Sequence, residues 1–259
     1  MDHAPISVAM GEGSSQSSIG PRTDGVPYGR PPRSISGTSK DAGYSATRAR
    51  VEGYFDGTAT RVWADLTSDA PVSRVRATVR AGRARMRNVI LSRLPDDLSG
   101  ARVLDAGCGT GAKAAALAAR GAEVVAVDVS PKLLEIAAAR MVPGLAGRVR
   151  FAAQDMFSRE LGSFDAVVAQ DSMIYYGAPD LRRKLGELVG RAPLVVTSLA
   201  PRTALLSAMF WAGKAFPRAD RSPAMVPHDV TRLARDLGGD VIERVTSGFY
   251  ISTCLELRR

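Results

Sequence analysis

Cysteine is scarce in this chain. Cys108 and Cys254 are the only two among 259 residues, which leaves no disulfide framework and no zinc-ligand spacing. A reducing compartment suits such a chain, and the cytoplasm is the expected location. No apolar run reaches the roughly 18–20 residues that a membrane-spanning helix needs. The beginning of the chain lacks a basic stretch followed by an apolar one, so no secretory signal is expected there. Acidic residues are outnumbered: 35 Lys and Arg face 26 Asp and Glu, a net charge of +9. That surplus suits an anionic partner. Aromatics are sparse at 6%, and no interleaved aromatic and basic motif of the kind that binds nucleic acid appears.

Residues 1–45 are rich in Gly, Ser and Pro and have almost no apolar periodicity. They are expected to form a disordered tail, because they cannot bury enough surface to offset the entropy of ordering. Residues 46–98 form a helical arm or cap. Val75, Val79, Gly82, Met86, Val89 and Ile90 recur near a 3.6-residue period, and Arg74, Arg76, Arg80, Arg83, Arg85 and Arg87 crowd the rest of that helix. This cationic face is either solvated or turned to an acidic partner or an anionic bilayer.

From residue 99 onward strands and helices alternate. Strands are expected at 101–106, 123–128, 149–152, 164–170 and 194–199, with helices at 112–120, 131–140, 180–189 and 228–237. Such alternation builds parallel βαβ units. Two further runs, 241–247 and 250–257, flank Gly248 and Phe249 and read as an antiparallel hairpin. The expected fold is therefore α/β and Rossmann-like, with a mostly parallel seven-stranded sheet, a C-terminal antiparallel hairpin and a helical N-terminal arm. Residues 200–226 hold Leu205, Leu206, Met209, Phe210, Trp211 and Phe216, too long and too apolar for a passive connection. A lid or wall over a ligand crevice is expected there.

The segment VLDAGCGTG at 103–111 ends a strand and opens a helix. Its glycines permit a tight turn and close approach of backbone to ligand. Gly107, Gly109 and Ala112 also satisfy the dinucleotide pattern G-x-G-x-x-A, with Asp128 at the distance that suits a ribose. Charge separates the two readings. A dinucleotide presents a dianionic pyrophosphate to this loop, and Asp105 at the strand tip would repel it. A ligand carrying a sulfonium and an ammonium would be attracted, by roughly 4 kcal/mol over 4 Å at an effective dielectric near 20, before desolvation. Asp128, Asp155 and Asp171 follow at the ends of the next three strands, the rim on which open α/β sheets bind ligands.

VLDAGCGTG, followed by VVAVDVS, AAQDMF and FDAVVAQDS, resembles the class I S-adenosylmethionine (SAM)-dependent methyltransferases. The resemblance implies that Asp105, Gly107 and Gly109 hold the methionine part of SAM and that Asp128, with Val129 beside it, holds the ribose. Asp155 and Met156 would address the adenine, and Gln170 and Asp171 would flank the methyl-transfer end. No N/D-P-P-Y/F motif of base-amine methylation stands after the fourth strand.

A narrower likeness covers 48–259. The segment VEGYFDGTATRVWADLTSDAPVSRVRATVRAGRARM, then LAPRT and the closing VTSGFYISTCLELRR, resembles the magnesium-protoporphyrin O-methyltransferases of bacteriochlorophyll biosynthesis. That family esterifies one propionate of Mg-protoporphyrin IX with SAM as cosubstrate and no protein-bound metal. A flat apolar macrocycle with two carboxylates suits an apolar lid bearing Arg202, Lys214, Arg218 and Arg221. The implied partners are Mg-protoporphyrin IX, magnesium chelatase and the surface of an anionic membrane, with no nucleic acid. Tyr175 and Tyr54 are the candidate catalytic residues, and Arg202 and Tyr176 the candidate substrate contacts. The family has a His where Tyr175 stands, which puts a catalytic base in question. A propionate, with a pKa near that of Glu, is already ionised at neutral pH. Two other readings stand beside this one: a methyltransferase acting on another small acid or on RNA, and a non-catalytic regulator that binds SAM or a tetrapyrrole. His228 carries no assignment.

Overall fold

The runs of Val, Ala and Leu between 101 and 200 become five parallel strands because both faces of each are covered by helices, so each can be apolar throughout. The computed structural model describes residues 42–57, 59–68, 71–208 and 223–259. Its strands are β1 (Arg102–Ala106), β2 (Glu123–Asp128), β3 (Val149–Ala153), β4 (Ala166–Ala169), β5 (Leu194–Leu199), β6 (Gly239–Ser247) and β7 (Tyr250–Arg258). They make a seven-stranded sheet in the order β3-β2-β1-β4-β5-β7-β6. β1 to β5 pair in parallel, while β7 runs antiparallel to both β5 and β6. The expected fold class and hairpin are both present. Strand order reverses between β1 and β4, so the carboxyl ends of those two strands open the crevice in which such sheets bind ligands.

Side chains alternate across the sheet and divide the core into two layers. Leu104, Val125, Val167, Val195 and Leu255 face the layer covered by Leu181, Leu185 and Leu188 of α7 (Ala178–Val189) and by Val230 and Leu233 of α8 (Val230–Leu237). Val103, Val124, Val168, Val196 and Cys254 face the other layer. There they meet Leu117 of α4 (Ala112–Ala119), Leu134 of α5 (Pro131–Arg140), and Met86 and Ile90 of α3 (Arg74–Leu91). Ser130 caps α5, with Pro131 at its first position, as expected of a side chain that accepts an orphan N–H. The short α6 (Pro143–Ala146) leads into β3.

The N-terminal segment is three helices: α1 (Ala42–Phe55), α2 (Thr60–Leu66) and α3. α1 starts ahead of the expected tail boundary at 45, and Tyr44 within it is buried to 4% exposure against partners far along the chain. α3 is not a detached arm. Gly82 lies against the Tyr250 ring, where an added Cβ would come within 2.5 Å of Cδ1, and Met86 and Ile90 are wholly buried. The apolar stripe starts late: Val75 is 51% exposed.

The lid expected at 200–226 is described only at its ends. Residues 204–208 are helical, with Leu206 buried and Leu205 exposed. Met209, Phe210, Trp211, Lys214, Phe216, Arg218 and Arg221 lie outside the described residues, as does the expected tail up to residue 41.

Candidate active site

A cavity of about 300 Å³ lies over the carboxyl ends of β1 to β4, beneath α1, α2 and α3. Its floor is the glycine loop. The N–H groups of Gly107 and Cys108 both donate to the Val127 carbonyl, at 2.8 and 2.9 Å, which ties the loop to β2. Gly107 has φ +73, and a Cβ there would collide with the Ser172 side chain. Ser172 donates to the Ala106 carbonyl at 2.8 Å and braces the loop from the β4 side.

Asp128, at the tip of β2, presents a carboxylate held by two backbone donors, Gly109 N at 2.9 Å and Ser130 N at 3.0 Å. Burial pushes its carboxyl above the ordinary range against the pull of those donors. Each oxygen keeps a further lone pair, so the group suits a vicinal diol. Val129 and Leu133 line the cavity beside it.

At the β3 end Asp155 accepts from the Tyr44 hydroxyl at 2.6 Å and the Phe157 N–H at 2.9 Å, both on Oδ1. Met156 is buried next to it. Tyr44 stacks on Tyr176 with centroids 5.0 Å apart, and Phe157 stands edge-on to both rings. Tyr176, a candidate substrate contact, belongs to this aromatic cluster and also lines the cavity. Tyr44 falls just before the helical arm expected from residue 46, within the expected tail; its ring stacks on Tyr176 at the β3 end.

At the β4 end Gln170 donates to the Arg83 carbonyl at 2.8 Å. Asp171 has φ +54, a left-handed conformation that Asp adopts more readily than most residues. Many donors hold it there: Arg83 Nη1 at 2.5 Å, Ser198 Oγ at 2.7 Å, Tyr250 Oη at 3.1 Å and Ser252 Oγ at 3.3 Å. Arg83 also lies over the Trp63 ring at 4.6 Å. Asp171 therefore ties α3, β5 and β7 together as well as facing the cavity.

The expected site residues fall into two groups. Gly107, Gly109, Asp128, Val129, Asp155 and Met156 line one cavity, and so do Gln170, Asp171, Tyr175 and Tyr176. Asp105, Tyr54 and Arg202 do not. Asp105 is fully buried beneath the loop and pairs with Lys113 Nζ at 3.1 Å, while its Oδ2 has no hydrogen-bond partner among the described residues. Tyr54 packs edge-on to Phe55 at 5.2 Å, because α1 turns Val51 and Phe55 to the cavity and the residue before Phe55 points about 100° away. Arg202 borders a separate hollow with His228, Arg244 and Thr253.

Residues that sequence reasoning missed include Tyr44, Trp63 and Lys113. Lys113 carried a signal, being a lone cation in the first turn of an Ala-rich helix, where the helix dipole disfavours it. The arginines of α3 are also more engaged than a solvated face would be. Arg80 donates to the Leu66 and Asp65 carbonyls, and Arg85 pairs with Glu243 at 2.7 Å. Among the described residues no helix is long and apolar enough to cross a membrane, and no group of three or more His, Cys, Asp or Glu is placed to hold a metal ion.

A glycine cradle, a diol-binding carboxylate on β2 and a second acid on β3, set on a sheet closed by an antiparallel β6–β7 hairpin, define a class I methyltransferase. A methyltransferase-domain model matches residues 103–190, and the model of the magnesium-protoporphyrin IX methyltransferase C-terminus matches 169–259. The chain is 57% identical to the magnesium-protoporphyrin O-methyltransferase of Rhodobacter capsulatus over 219 residues, 83% of this chain and 98% of that one. It is 30% identical to the chloroplastic magnesium protoporphyrin IX methyltransferase of Arabidopsis thaliana, over 80% of this chain and 69% of that one. The crystal structure of the Synechocystis magnesium protoporphyrin IX methyltransferase with bound SAH superposes with a TM-score of 0.70, at 26% identity over 82% of this chain and 99% of that one. The chain belongs to the magnesium-protoporphyrin O-methyltransferase family.

Proposed function

We propose that this enzyme transfers the methyl group of SAM to one propionate carboxylate of Mg-protoporphyrin IX, yielding the monomethyl ester and S-adenosylhomocysteine (SAH) in bacteriochlorophyll biosynthesis. The observation that carries this reading is the identity to the Rhodobacter enzyme across nearly its whole length, which extends well beyond the SAM core.

The residues present suit SAM. Asp128 offers acceptors to a ribose, and Asp155 Oδ2, with Arg48 Nη1 at 4.0 Å, can accept from an exocyclic amine. The glycine loop leaves room for the methionine arm, since at Gly109 even a Cβ would meet nothing nearer than Trp63 Nε1 at 3.6 Å. When bound, SAM supplies an electrophilic methyl group: a carboxylate oxygen forms the new O–C bond as the C–S bond breaks, and its electron pair passes to sulfur. No proton moves, so no general base is needed. The chain's task is alignment, where orientation can contribute about 7–11 kcal/mol. Tyr175 suits that role: it lines the cavity, its ring stands 6.0 Å from Phe55, and burial raises its phenol, so it acts as a neutral donor and shape element.

The chain's charge of +9 supports a cytoplasmic enzyme that touches an anionic membrane peripherally, where a poorly soluble porphyrin would collect. Family resemblance supports magnesium chelatase, the source of the substrate, as the partner that delivers it. The deciding experiment incubates pure protein with methyl-labelled SAM and either Mg-protoporphyrin IX or the metal-free porphyrin. Labelled ester with the metalloporphyrin is the expected result. SAM binding without turnover would favour a regulator, and absence of both would favour another acceptor.

A further inference from the structure

We propose that Arg87 is the residue that binds the α-carboxylate of the methyl donor. The inference rests on the methyltransferase reading above and assigns a partner to one side chain. Four cations line the cavity: Arg80, Arg83, Arg87 and Lys113. Three already have acceptors. Arg80 donates to the Leu66 and Asp65 carbonyls, Arg83 to Asp171, and Lys113 stands at Asp105. Arg87 is half-buried on the cavity wall, and its guanidinium has no acceptor among the described residues.

The sheet order places that wall. The strand tips carry Asp155 on β3, Asp128 on β2, the glycine loop on β1 and Gln170 on β4, in that spatial sequence. Neighbouring strands lie about 4.8 Å apart, so the row extends roughly 14 Å. With adenine at Asp155 and ribose at Asp128, the amino-acid arm reaches the glycine loop and the β4 tip. α3 crosses there: Gln170 bonds the Arg83 carbonyl, and Arg87, one turn further and on the same face, shares the wall with Lys113 of α4. The one anionic group of the donor therefore arrives beside the cavity cation that, among the described residues, lacks an acceptor. A guanidinium can grip a carboxylate through two parallel N–H bonds.

A carboxylate could come instead from the porphyrin, and the test separates the two. Calorimetry compares SAH with its decarboxylated analogue on wild type, Arg87→Gln and Arg87→Lys. Arg87→Gln should weaken SAH about 10- to 100-fold, and Arg87→Lys less. Decarboxylated SAH should bind all three proteins alike, which also shows that the variants are folded. Equal weakening of both ligands, or unchanged SAH affinity, overturns the proposal. Unchanged SAH affinity with a raised KM for Mg-protoporphyrin would assign Arg87 to the acceptor. If wild type binds neither ligand, the methyltransferase reading itself fails.

Discussion

Lys113 and Asp105 face each other at 3.1 Å, with side-chain exposures of 6% and 0%. Burial raises the Asp105 carboxyl and Lys113 opposes the rise. Removing one member of such a pair strands a charge in the interior. Lys113→Met should therefore destabilise the protein by about 3–5 kcal/mol at neutral pH. Adding Asp105→Asn should recover much of that loss, since a pair replaced together leaves no uncompensated charge. Urea unfolding of the two single variants and the double variant measures the coupling. A Lys113→Met cost under about 1 kcal/mol would show that the carboxyl is already protonated.

Asp128 is tested by ligand binding. Its carboxylate is fastened by Gly109 N and Ser130 N, and it lines the cavity. Asp128→Asn turns one acceptor into a donor beside a ribose diol. SAH affinity should fall by about 10- to 100-fold, the scale of a lost hydrogen bond to a charged group. Wild-type affinity in this variant would mean that the ribose sits elsewhere.

Tyr175 stands at the position where the family resemblance implies a His. Carboxylate methylation releases no proton, so Tyr175→Phe should lower kcat less than about 10-fold. The rate should also be level between about pH 6 and 8, because the acceptor ionises below that window and burial moves the Tyr175 phenol above it. A fall beyond about 100-fold would assign the hydroxyl more than a shaping role.

His228 makes stability depend on pH. It is 2% exposed, bonds the Tyr176 backbone, and its pKa is lowered to about 4 by burial first and the Arg202 charge second. Its Nε2 has no hydrogen-bond partner among the described residues. The unfolded chain, with an ordinary His near 6.5, binds the proton more readily than the folded one. The contribution is thus complete above about pH 6.5 and is lost as pH falls toward 4, amounting to about 3 kcal/mol. Asp105 and Asp128, whose carboxyls are raised by burial, pull the other way. The comparison of wild type with His228→Gln isolates the effect: the variant's stability should fall less steeply between pH 7 and 4. Parallel curves would count against it.

Local pattern was enough to read the strands, the glycine loop, the Ser130 cap and the turn at Gly248 and Phe249. Each depends on residues a few positions apart, and an alternating apolar run or a glycine at positive φ carries its own instruction. What pattern could not distribute was the charge. Asp105 and Asp128 look alike in sequence, each an aspartate ending or nearly ending an apolar strand. Only the packed structure shows that one is sealed under the loop by Lys113 while the other opens into the cavity. Likewise the arginines of α3 read as one basic face, until packing against the sheet sent Arg83 to Asp171, Arg85 to Glu243 and Arg87 into the crevice. Tyr44 passed for part of a tail, yet its hydroxyl reaches Asp155, 111 residues away. Burial and ion pairing are properties of neighbours in space, and most of the neighbours that shape this cavity are distant in the chain.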